Sequence, residues 1–161
     1  MMRGLKRSTA DLFVLFGICL AGTFLPAPPA AAQAITDPLA TLQGKWVWIG
    51  NRDKLGLAKA CAEKWERYEV SADRRQINNS YMAEENGRPT PRAGRGYIVL
   101  YEEGSSVVAY LNNENRRYKN GDRWVWVALF ENDRNTFFWR IHTLPLDAED
   151  RKFARVRCPP E

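Results

Sequence analysis

The chain has one histidine, His142, and three cysteines among its 161 residues. A single histidine excludes a His-rich metal site and the H-E-x-x-H motif, and it forces any Ser-His-Asp triad through His142. No G-x-S-x-G elbow is present. His142 falls at an expected strand end near Arg140, where a structural role is the ordinary one. Gly94-Arg95-Gly96 leads into a strand and not a helix, which excludes a phosphate-binding loop of the usual kind. Carboxylates cluster at Glu84-Glu85, Glu102-Glu103 and Asp147 to Asp150, all in expected turns, where solvated charge accounts for them. A glycosidase pair depends on a carboxylate separation that spacing along the chain does not report. No catalytic, cofactor-binding or metal-binding residue is expected, and the balance is against an enzyme.

Long apolar runs are equally scarce. Leu12 to Leu25 spans 14 residues, short of the ~20 needed to cross a bilayer. Arg3, Lys6 and Arg7 precede it, Pro26 stops it, and small residues follow from Ala30 to Ala34. An A-x-A exit occurs at either Ala30/Ala32 or Ala32/Ala34. A charged start, an apolar core of this length and a small-residue exit form a secretory signal peptide. An uncleaved anchor is the alternative. Arg-Arg is absent before the core, which favours export of the unfolded chain. Cys19 follows the bulky Ile18, unlike the small residue that precedes an acylated lipoprotein cysteine. Residues 1–34 are thus expected to leave, with 35–161 forming a single periplasmic or secreted domain without a transmembrane segment.

The remaining chain carries 21 Lys+Arg and 18 Asp+Glu, a net charge of +3. Arginine outnumbers lysine 15 to 6. Arginine stacks on rings and grips anions in a bidentate way, so Arg140, next to Trp139, is a candidate for orienting an anionic ligand. Basic residues interleaved with aromatics also suit nucleic-acid binding by a small barrel, but export argues against it. Two cysteines remain, Cys61 and Cys158, and an oxidising compartment favours their pairing.

Turn chemistry divides the chain into short strands. Thr36-Asp37-Pro38-Leu39 opens a short helical turn, with a cap and a proline at its start. The expected strands are 45–49, 65–70, 76–82, 97–102, 106–111, 123–130, 136–142 and 152–157. A short helix is expected over 53–63, in the first connection, where Leu55, Ala58 and Ala62 recur at helical spacing. Ala83 to Gly96, rich in Gly, Pro and Arg, reads as a mobile surface loop. The fold class is all-β: eight strands in sequential hairpins form an antiparallel up-and-down barrel, with a small sandwich as the alternative. Strands that are apolar on both faces, such as Trp124 to Phe130, favour the barrel. All six tryptophans are placed on these strands.

Gly44-Lys45-Trp46, at the opening of the first strand, resembles the G-x-W signature of lipocalins and their calycin relatives. The resemblance implies that Gly44 and Trp46 belong to the barrel floor, with a basic residue of the last strand, Arg155 or Arg157, packed across the tryptophan. It also implies that Gly50 to Lys64 is a lid over the open end. Leu42 to Val47 is also similar to the opening of bacterial inhibitors of secreted metalloproteases, which are small exported barrels.

Two functions follow as expectations. The first is a binding protein for a small apolar or amphiphilic ligand, with Trp48, Trp126, Trp139 and Arg140 as candidate contacts. The second is a protein-interaction module, such as a protease inhibitor or an envelope assembly factor. No cofactor is implied. For the secretory reading, N-terminal sequencing of the exported protein is expected to begin between Gln33 and Ile35; a retained Met1 or an acylated Cys19 would contradict it.

Overall fold

The computed structural model describes residues 35–131, 133–143 and 153–160. The segment expected to be a signal peptide, the carboxylates of 147–150 and the start expected for the last strand at Lys152 lie outside the described residues. None of the described helices is long and apolar enough to cross a membrane.

Helix α1 (Pro38–Leu42) opens the domain, with the Asp37 carboxylate accepting from the Ala40 N–H at 2.8 Å. The strands are β1 (Gly44–Trp48), β2 (Trp65–Val70), β3 (Gln76–Glu85), β4 (Arg88–Ala93), β5 (Tyr97–Glu103), β6 (Ser106–Leu111), β7 (Trp126–Leu129), β8 (Thr136–Ile141) and β9 (Arg155–Arg157). Each pairs antiparallel with its neighbours, and the order β2-β1-β9-β8-β7-β6-β5-β3 closes through a β2–β3 pairing. The result is a closed eight-stranded barrel with β4 attached outside the ring.

Pairing dictates which side chains fill the barrel, because neighbours in register share a face. Trp46 lies opposite Arg157 and Glu66, Tyr68 opposite Asn79, Ile77 opposite Tyr97, and Ala128 opposite Trp139. The lower interior is packed solid: Leu39, Leu42, Trp46, Phe130 and Phe137 are fully buried. Trp46 meets Phe137 edge-on at 4.7 Å, and its Nε1 donates to the Leu42 carbonyl at 2.8 Å. Helix α1 therefore plugs one end of the barrel. Arg74 holds the plug from outside, donating to Asp37 (2.8 Å) and to Glu102 at the end of β5 (2.7 Å).

Three expectations need correction. First, 83–96 is not a loop. It forms the far half of β3, a turn and β4, with Glu85 opposite Arg88. Asn86 and Gly87 both take positive φ (51° and 73°), as a two-residue type I′ turn requires. The prolines argue against a strand until the pairing is seen. In a two-residue hairpin, Pro89 and Pro91 take the positions whose N–H would point away from β3, so no ladder bond is lost.

Second, the first connection holds two helices, α2 (Ile49–Leu55) and α3 (Leu57–Glu63), broken at Gly56, whose φ is +77°. They are not a lid. Ala60 and Cys61 of α3 pack on Val47, which faces outward from β1, so this helix lines the outer wall. Third, Trp124 is on no strand: β7 begins at Trp126, and 112–125 is an ordered loop.

Cys61 and Cys158 are disulfide-bonded, with Cα atoms 5.7 Å apart and a sequence separation of 97. The bond fastens α3 to the chain just beyond β9, at the seam where β1 meets β9. Replacing both cysteines by serine is expected to lower unfolding stability by about 2–5 kcal/mol, read from urea denaturation. The oxidised wild type is expected to show no free thiol at 61 or 158.

Candidate functional site

With the floor end plugged, the barrel interior opens at the opposite mouth. There the inward residues change character. Glu66, Asn79, Tyr97, Trp126, Trp139 and Arg155 border a cleft of about 480 Å³. The backbone explains their convergence: each lies on an inward position of β2, β3, β5, β7, β8 or β9, above the buried layer.

Two rings form its wall. Tyr97 and Trp139 stack with centroids 4.3 Å apart and planes 4° from parallel. The Trp139 Nε1 donates to the Tyr68 hydroxyl at 3.0 Å, which in turn donates to the Glu66 carboxylate at 2.6 Å. Arg155 completes the chain with two bonds to Glu66, both 3.2 Å, and a further one to the Phe153 carbonyl. The Glu66 and Arg155 side chains are mostly buried, so each neutralises the other where water screens poorly. Burial pushes the Tyr68 hydroxyl well above the ordinary phenol range, and the Glu66 charge adds to it. Burial likewise raises Tyr97. Both rings therefore stay neutral across the physiological range.

A second polar cluster braces the opposite side. Glu114, its side chain fully buried, accepts both ends of the Arg116 guanidinium (2.8 and 2.7 Å) and the Trp126 Nε1 (3.0 Å). Arg116 also lies over the rings of Trp124 (4.7 Å) and Trp126 (5.1 Å). These contacts hold Trp126 against the cleft and explain why 112–125 is ordered without being a strand. The Arg116 hydrogen bond is the main reason that the Glu114 carboxyl is held at about 2.

The structure divides the sequence-derived candidates. Trp126 and Trp139 line the cleft. Trp48 stands at the rim, stacked on Phe153 at 6.1 Å, and borders a smaller adjoining recess with Asn51, Glu66 and Arg155. Arg140 does not belong to the site. It lies opposite Val127 and one residue from the inward Trp139, hence on the outer wall. His142 is also outside, 3.4 Å from the Tyr101 hydroxyl. At the floor, Arg157 and not Arg155 covers Trp46, its guanidinium 4.1 Å from the ring. Arg157 donates to the carbonyls of Thr41, Gln43 and Arg134. Gly44, at φ +124°, gives Arg157 room: a Cβ there would come within 3.1 Å of the guanidinium.

Sequence reasoning missed Glu66, Tyr68, Tyr97 and Glu114. The first two were legible in one respect, since strand alternation puts Glu66 and Tyr68 on one face of β2. Glu114 had no signal, because its neighbours Asn112, Asn113 and Asn115 read as an ordinary polar loop. Among the described residues no group of three or more His, Cys, Asp or Glu side chains could hold a metal ion.

Two substitutions test this bracing. Tyr68→Phe removes the acceptor of the Trp139 Nε1 and one donor to Glu66, and is expected to cost about 1–3 kcal/mol in urea unfolding. Glu114 has a native pKa below its unfolded value, so the stability it contributes is present above pH ~4.5 and is lost as pH falls towards 2. The stability gap between wild type and Glu114→Gln is therefore expected to be widest at neutral pH and to narrow across that window.

No protein-family model, curated protein or solved structure matches the chain, so the functional reading rests on the geometry of the mouth.

Proposed function

We propose that this is an exported, periplasmic or secreted, non-enzymatic binding protein of lipocalin-like design, whose ligand is a small amphiphile held in the barrel mouth. The observation that carries this reading is the Tyr97–Trp139 stack, locked from behind by Tyr68 and facing a cleft of about 480 Å³. That volume is within the ~300–1,000 Å³ typical of small-molecule sites. The rings are pre-organised, so a flat apolar body can pack on them without ordering them first. The filled lower barrel restricts the ligand to the mouth. A long acyl chain has no room between Trp46, Phe130 and Phe137, whereas a compact ring system needs only the mouth.

The same filled interior favours a second reading, a protein-interaction module such as a protease inhibitor or envelope assembly factor. Its partner would meet the segments around the mouth.

Titration with small aromatic amphiphiles separates the two. Saturable quenching of tryptophan fluorescence is expected. Tyr97→Leu, which keeps apolar volume but removes the stacked ring, is expected to weaken binding about 3- to 10-fold. Near-UV circular dichroism checks that the variant is folded. Flat titrations across aromatic amphiphiles, fatty acids and phospholipids would leave the interaction module as the better reading.

A further inference from the structure

The cleft carries three charged side chains, Lys64, Glu66 and Arg155. They are not equivalent. Glu66 accepts two bonds from Arg155 and one from the Tyr68 hydroxyl, so its negative charge is already answered inside the site. Arg155 is equally committed: Nε and one terminal nitrogen face Glu66, and the other faces the Phe153 carbonyl. Together they leave the cleft neutral at its base.

Lys64 is different. It is the residue between α3 and β2, at the rim, and its Nζ bonds Glu84 on β3 at 3.0 Å. The Glu84 side chain is 63% exposed and that of Lys64 only 33%. A pair of this kind contributes little, because water solvates the carboxylate almost as well as the ammonium does. The outer partner can therefore be replaced at small cost by another anion arriving from the cleft. The Asn51 amide and the Tyr97 hydroxyl, which also border the cleft, bond no other group among the described residues and can donate to the same ligand. An incoming cation meets the Lys64 ammonium and the Arg155 guanidinium, and at Glu66 a carboxylate that already accepts three bonds.

We propose that the mouth selects anionic ligands: a compact aromatic body stacked against Tyr97 and Trp139, carrying one carboxylate or sulfonate that takes Lys64 from Glu84. This rests on the binding reading above and specifies its ligand class. Lys64 is the specificity-determining residue, and Glu84 is a built-in competitor for it.

Three probes with one ring system and different charge test the proposal: naphthoate, naphthamide and naphthylmethylammonium, titrated into the full-length exported protein at neutral pH. Naphthoate is expected to bind about tenfold more tightly than naphthamide, as one charge-assisted hydrogen bond allows, with the ammonium weakest. Lys64→Gln is expected to abolish the preference of the protein for naphthoate over naphthamide. Glu84→Gln is expected to tighten naphthoate alone. Equal binding of all three probes to the wild type overturns the charge selection and leaves the binding site standing. A naphthoate preference that survives Lys64→Gln overturns the role of Lys64. If none of the three binds, the binding reading itself fails, and the selection with it.

Discussion

The guanidinium of Arg157 on the ring of Trp46 is the contact from which the rest of the molecule follows. One side chain from the last strand covers the buried indole and ties together three backbone carbonyls, those of Thr41, Gln43 and Arg134. These belong to the end of α1, the entry to β1 and the turn before β8. Among the described residues no carboxylate shares the cation, and burial lowers its proton affinity, so the carbonyl dipoles and the indole face supply what water would have supplied. With that end closed, Leu39, Leu42, Phe130 and Phe137 can fill the barrel below the mouth.

Filling one end assigns function to the other. On two inward-facing rows the chain becomes more polar as it rises: Ile77 to Asn79 on β3, and Tyr68 to Glu66 on β2 read upward. Two charged pairs, Glu66–Arg155 and Glu114–Arg116, stand on opposite sides of the mouth, and each is bonded to an aromatic group of the cleft wall. Ionic pairs so placed contribute orientation more than net stability, because desolvation offsets much of their attraction. They fix the Trp126 indole through Glu114, and the Trp139 indole through Tyr68 and Glu66.

The strand content was legible because the signals were local. Turn residues at Ser71 to Arg74, Gly104 and Asn120 to Asp122 mark where the chain reverses or bends, and alternation marks the strands between them. The β3–β4 arm was hidden because Pro89 and Pro91 count against a strand in isolation. Only pairing with β3 reveals that both occupy positions where a donor is dispensable. The helical first connection was read too coarsely for a similar reason. Its apolar positions Leu55, Leu57 and Ala60 serve the outer wall beside the disulfide, a surface that exists only after β1, β2 and β9 have joined.

By itself, the sequence determined a strand-rich chain, the capped helical turn at Asp37 and a pair of cysteines suited to one bond. Each depends on residue type and short-range spacing, which physical chemistry reads without knowing the fold. The tertiary structure alone decided the rest. It chose Arg157 over Arg155 for the floor, sent Arg140 outside and Trp139 inside, and gathered Glu66, Tyr68, Tyr97 and Arg155 from four strands into one mouth. A side chain's direction in a barrel depends on the register of the strand beside it, and register is set by closure of the whole ring.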